Sequence, residues 1–194
     1  ALLKAFERGK ASGASTYLNP SPWRDPPTAL LALTDALVMN ESEAASFFDD
    51  DSLQNTSIET WRSLLTTMSN RRGWRGRWLI VTLGARGAIG RFAAQDVRYA
   101  PSPVVEQADA TGAGDAFGAG FMWALSTAGS QQPLAFANAC GALVARRKGV
   151  WRWLPSQAEA LAFMEGDNQA RPPRMAEPAP TEDGAPYESG ARTS

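Results

Sequence analysis

The sequence predicts an α/β fold in which a mostly parallel sheet is covered by helices. Three observations carry that expectation. Short apolar runs occur at 15–19, 36–39 and 78–83, helical stretches lie between them, and a glycine-rich turn at 109–115 leads into a long apolar helix. Short continuous apolar runs suit strands buried on both faces, and alternation with helices is how parallel strands are connected.

Taken in order, residues 1–7 read as the tail of a helix, and 15–19 as a first strand that runs into Asn19-Pro20-Ser21-Pro22. The second strand, 36–39, meets Asn40-Glu41-Ser42-Glu43, where an asparagine three residues before a glutamate has the pattern of an N-cap with its capping-box partner. Asp49-Asp50-Asp51 reads as a solvated acidic loop. Residues 56–69 form the clearest amphipathic helix, with Ile58, Trp61, Leu64, Leu65 and Met68 spaced for one face. The patch Arg71-Arg72-Gly73-Trp74-Arg75-Gly76-Arg77 reads as a solvated loop leading to the third strand. That strand, 78–83, ends in Gly84-Ala85-Arg86-Gly87 and returns as a hairpin through 89–93.

Residues 116–125 form a buried helix that begins near Gly112, with Thr111 as its N-cap. Residues 136–145 form another, closed by Arg146, Arg147, Lys148 and Gly149 in the usual basic-then-glycine ending. Residues 156–164 supply the last helix. From Arg171 to Ser194 the chain is rich in Pro, Gly, Ala and mixed charge with few large apolar residues, a composition that predicts disorder.

Composition excludes several function classes. The chain has 194 residues, 44% of them hydrophobic, enough for one good-sized core. Its net charge of −1 gives no electrostatic support to nucleic-acid binding. Apolar runs are interrupted well before membrane-spanning length and the start lacks a signal-peptide pattern, so no membrane partner is expected. A single cysteine excludes an internal disulfide and fits a reducing compartment, which makes the cytoplasm the expected location. With no histidine, His-based triads and His-ligated zinc are excluded.

The chemistry concentrates in Asp109-Ala110-Thr111-Gly112-Ala113-Gly114-Asp115. Glycines let the backbone approach a ligand closely, and successive N–H groups at a helix start converge on an anion. Asp115, in the first turn, can accept the proton of a hydroxyl that attacks phosphorus. A Walker A loop is absent, and a Rossmann fingerprint would need glycine where Phe117 stands.

This string resembles the C-terminal signature of the PfkB family, the ribokinase-like carbohydrate kinases, with Ala110 where many members have Thr. The resemblance implies a ribokinase-like three-layer α/β/α fold and ATP-dependent phosphorylation of a sugar hydroxyl. It implies an anion hole at Gly112, Ala113 and Gly114, and a catalytic base at Asp115. Asn40 and Glu43 resemble the family's Asn-x-x-Glu motif, which implies a role in organising Mg²⁺ and the phosphates. Val81-Thr82-Leu83-Gly84 through Gly87 resembles an element bordering the nucleotide, implying contacts from Thr82, Gly84, Gly87 and Arg86. The helix at 136–145 resembles the one lining the adenine pocket, which makes Asn138 a base contact.

Asp109 matches a monovalent-cation position of some members. The segment Val150-Trp151-Arg152-Trp153-Leu154-Pro155 departs from the small polar residues usual there, which argues against potassium activation. The Asn-Pro-Ser-Pro segment points to the ribokinase branch, forming ribose 5-phosphate from D-ribose. The family's Gly-Gly sugar motif and β lid are not found, so residues 1–165 are expected to be the C-terminal nucleotide and catalytic part, the N-terminal part missing, and 166–194 a disordered tail. Loss of that part would open a sheet edge, which suits pairing with a second copy as a homodimer. The alternative is a truncated, non-catalytic nucleotide-binding remnant or interaction module.

Overall fold

A computed structural model describes residues 1–67, 72–93, 95–127, 132–149 and 154–166. Met68, Ser69, Arg71, the stretch 150–153 and the tail at 167–194, all subjects of expectations above, lie outside the described residues.

The strands are β1 (Tyr17–Leu18), β2 (Ala36–Asn40), β3 (Trp78–Thr82), β4 (Ala88–Ala93) and β5 (Asp96–Ala100), and they pair in sequence order. β1, β2 and β3 are parallel neighbours, whereas β4 is antiparallel to both β3 and β5. Only β4 therefore runs against the other four. The first strand is shorter than its apolar run suggests. β5 was not foreseen, although Val97 and Tyr99 alternate with Asp96 and Arg98 as a half-buried edge strand should.

Helices cover both faces, because side chains alternate along each strand. Leu37, Met39, Leu79, Val81 and Ile89 point into one core with Phe47, Phe48, Trp61 and Leu65. That core belongs to α2 (Thr28–Ala32), α3 (Glu41–Phe48) and α4 (Ile58–Thr67). Ala36, Val38, Ile80 and Ala88 face the other way, against Phe117, Phe121, Leu134 and Ala137 of α5 (Ala113–Ser126) and α6 (Pro133–Ala145). α7 (Gln157–Met164) packs on α6 and starts with a capping box formed by Ser156 and Glu159. α1 (Leu2–Ala11) buries none of its residues.

One loop reading is corrected. Trp74 is not solvated with the basic patch around it; it is 2% exposed, under the guanidinium of Arg91. Arg72 likewise bonds Asp49 at 2.7 Å and pairs with Asp25, and Arg77 covers the Trp78 ring. Charge runs hide such partners because they come from distant segments.

Candidate active site

The carboxyl ends of β2 and β3 lie side by side, with Asn40 opposite Thr82, and the start of α5 faces them. Sites of α/β sheets form at this edge, where strand ends and helix starts converge. Two adjoining cavities open here and share Thr82 and Gly114. The larger, about 300 Å³, is lined by Thr82, Gly84, Gly87, Ala113, Gly114 and Asn138 together with Ser102 to Val105, Gly141, Ala142 and Ala145. The smaller, about 180 Å³, brings together Asn40, Glu43, Thr82, Gly112, Gly114 and Asp115, with Asn19 and Ser21.

The turn before α5 is built differently from the expectation. Thr111 is not the N-cap. Gly112 takes that position in the left-handed region at φ 78°, with no side-chain cap. Asp109 binds the turn instead, its Oδ1 accepting the Thr111 N–H at 2.9 Å. Hydrogen bonds from the Thr111 side chain and N–H, then the Gly149 N–H and the Lys148 charge, outweigh desolvation and hold the Asp109 carboxyl below the usual range. The Ala113 N–H is used by the Ala110 carbonyl at 3.1 Å. The N–H groups of Gly112, Gly114 and Asp115 have no partner among the described residues, so this helix start is free to bind an anion where its dipole is positive. Ala113, named for the hole, contributes its place on the wall of the larger cavity rather than a free amide.

Asn40 and Glu43 form the capping box the spacing suggests. Asn40 Oδ1 accepts the Glu43 N–H and Glu43 Oε2 accepts the Asn40 N–H, both at 2.9 Å. Glu43 is only 4% exposed, yet both side chains line the smaller cavity. One carboxylate and one amide oxygen are the hard-oxygen donors that suit Mg²⁺, which keeps several waters of its own. Asp109 is not brought to this pair, and no cluster of three or more His, Cys, Asp or Glu occurs among the described residues.

Arg86 is turned away from the larger cavity. Its guanidinium pairs with Glu41 and donates to the Thr56 carbonyl at 2.6 Å, and its own carbonyl accepts from Tyr99 Oη at 2.7 Å. Asn138 does line that cavity, but its Nδ2 donates to the carbonyls of Ala100 at 2.8 Å and Pro101 at 3.2 Å. The side-chain donor is thus spent on bracing the cavity wall. Gly87 is needed sterically: at φ 101°, a Cβ there would run into the Ala100 carbonyl and stand 2.7 Å from the Ser102 nitrogen.

Residues the motifs did not single out also contribute. The loop 102–105 forms a wall whose position depends on β5, and Gly141 lets α6 approach the Ala113 carbonyl, a Cβ there standing 3.1 Å from it. The run of small residues in α6 was the available signal. Tyr17 lies beside the smaller cavity's acids, and burial, then the charges of Asp115 and Glu43, push its phenol up to about 12.

Comparison with known proteins agrees with this arrangement. A family model described as pfkB family carbohydrate kinase matches residues 1–157. Fructokinase-1 of Oryza sativa subsp. japonica is 31% identical over 183 residues, covering 84% of this chain and 53% of the relative. Ribokinase of Haemophilus influenzae is 28% identical over 162 residues, covering 83% and 51%. A solved candidate ribokinase II of E. coli, in complex with ATP and Mg²⁺, superposes with a TM-score of 0.62 at 27% identity, covering 84% of this chain and 52% of that one. The ribokinase-like α/β fold expected from the sequence is therefore present, and the chain spans about half the length of the relatives it matches. With the signature turn, the capping box and the strand order all in place at one sheet edge, the chain belongs to the pfkB family of carbohydrate kinases.

Proposed function

We propose that residues 1–165 form the nucleotide-binding and catalytic part of an ATP-dependent sugar kinase, with D-ribose as the first substrate to test. The observation that carries this reading is the convergence of three unpartnered amides and the exposed Asp115 carboxylate where the two cavities meet. The larger cavity, apolar along α6, suits the adenosine of ATP. The amides of Gly112, Gly114 and Asp115 hold the charge that develops on the γ-phosphoryl group. Asp115 accepts the proton as the sugar hydroxyl attacks phosphorus, the O–P bond to the sugar forming as the bond to ADP breaks. Asn40 and Glu43 are the residues to hold Mg²⁺, which when bound neutralises phosphate charge. Asp109 tightens the turn and thereby orients the amides. The relatives include both a ribokinase and a fructokinase, so fructose belongs in the same panel. The single buried cysteine suits a reducing cytoplasm. The edge of β1 suits pairing with a second copy, which sedimentation tests.

The decisive experiment is a coupled ADP-release assay on this chain with ribose, fructose and other sugars. Sugar-dependent ADP release supports the reading. ATP binding without turnover on any sugar supports a nucleotide-binding module instead.

A further inference from the structure

β1 delivers one aromatic side chain, Tyr17, to the face of the sheet that carries α5. The ring packs beside the core of Ala36, Val38, Ile80 and Phe117, and its hydroxyl abuts the backbone of α5 at Gly118. A Cβ built on Gly118 would stand 2.8 Å from Tyr17 Cζ and closer still to the oxygen, a separation that real Cβ atoms do not tolerate. Glycine is a poor residue for the interior of a helix, and Gly118 has no left-handed backbone to excuse it. The phenol supplies the reason it is there.

Gly118 stands three residues after Asp115, so the two are neighbours on one side of α5. Asp115 and Glu43 both act electrostatically on the Tyr17 phenol, which places the ring near both acids of the smaller cavity. Pairing of Tyr17 with Ala36 fixes the root of the ring on the sheet, and a ring with two rotatable bonds is a stiff spacer. We propose that the Tyr17–Gly118 contact sets the separation of α5 from the sheet and so fixes where Asp115 stands relative to Asn40 and Glu43. Tyr17 is a positioning residue, not a catalytic one. The catalytic half of this inference rests on the proposed role of Asp115 as base; the geometric half does not.

Three variants of the full chain test it: Gly118→Ala, Tyr17→Val, and the two combined. Thermal unfolding, the ¹³C chemical shift of the Asp115 carboxyl carbon, and kcat with KM for ATP are measured on each. Gly118→Ala lowers Tm by several degrees and moves the Asp115 resonance. It lowers kcat by about tenfold while KM for ATP stays within about twofold, as misplacement of a reacting group requires. The combined variant recovers most of each loss, so the two substitutions are strongly non-additive. A Gly118→Ala protein with unchanged Tm and unchanged Asp115 resonance overturns the proposal, since the ring would then swing aside freely. Additive effects overturn it as well, as does a moved resonance with kcat unaltered. Should the parent chain show no sugar turnover, the proposed activity of this chain fails by itself, and Tm and the resonance still decide whether the contact holds α5 in place.

Discussion

The two rims of the sheet are built on opposite terms. At the amino-end rim the side chains of Thr16, Thr34 and Asp35 at the strand starts are answered from within, the buried Trp74 Nε1 being an exception. Asp35 accepts from the Thr16 N–H at 2.9 Å, from the Thr16 hydroxyl at 3.0 Å and from Lys10 at 2.7 Å, while Thr34 donates to the Leu30 carbonyl. The Asp35 carbonyl accepts from both Arg77 and Trp78. At the carboxyl-end rim α3 is closed by its own capping box, but α5 starts on a bare glycine, with three amides unanswered and an exposed carboxylate beside them. Stability is concentrated where partners are internal, and binding capacity is left where they are not. The difference between α3 and α5 is instructive because both starts face one cavity. Identical backbone chemistry is closed in one helix and open in the other, and the N-cap residue decides which.

Substitutions at the two rims should therefore separate activity from stability. Asp115→Asn in the sugar-phosphorylating protein should cost at least about 100-fold in kcat, with ATP affinity and Tm nearly unchanged; near-normal turnover would remove Asp115 as base. Gly114→Ala sharpens the contrast, because a Cβ there meets nothing within 4 Å in the protein itself. Helix propensity favours alanine by up to about 1 kcal/mol, so Tm should hold or rise, while kcat/KM for ATP falls by about tenfold as the methyl crowds the phosphate. Calorimetry and steady-state kinetics on one sample measure both.

Asn40→Ala removes a cap and an oxygen from the cavity together. It should cost about 1 kcal/mol of stability, lowering Tm by roughly 3 °C, and raise the Mg²⁺ concentration needed for half-maximal activity. A loss of stability with an unaltered Mg²⁺ requirement would reduce Asn40 to a cap alone. The smallest effect belongs to the amino-end rim. Burial pushes the Asp35 carboxyl up, but hydrogen bonds from Lys10 and from Thr16, with the Lys10 charge, hold it below its ordinary value. A depressed folded pKa gives stability that is present above the unfolded value and is lost as pH falls through the folded one. Asp35→Asn should thus flatten the acid limb of a pH–Tm profile below about pH 4 and leave activity at neutral pH untouched.

Much of this was legible in the sequence because it is local. The turn from Asp109 to Asp115 and the Asn40–Glu43 spacing lie within single turns of chain, so residue order alone sets their geometry. One local detail escaped, the Asp109 side chain claiming the Thr111 N–H two residues on, which leaves the cap to Gly112. The rest of what escaped is long-range. Arg86 is captured by Glu41, 45 positions away, and Trp74 is buried beneath Arg91 from β4. The donor of Asn138 reaches Ala100, the last residue of β5 and 38 positions away. No local pattern encodes such partners, because they exist only once the sheet has ordered.

The last carbonyl of α6, on Ala145, accepts from two amides at once, Ala108 at 2.9 Å and Asp109 at 3.1 Å. One oxygen thus staples the loop ahead of the turn before α5 to the end of the helix that walls the larger cavity. These two amides should show similar protection against hydrogen–deuterium exchange once their intrinsic rates are divided out, as groups released in one local opening do. ATP seated against Ala145 should slow both, so that occupancy can be read from the exchange of two neighbouring protons without any chemistry taking place.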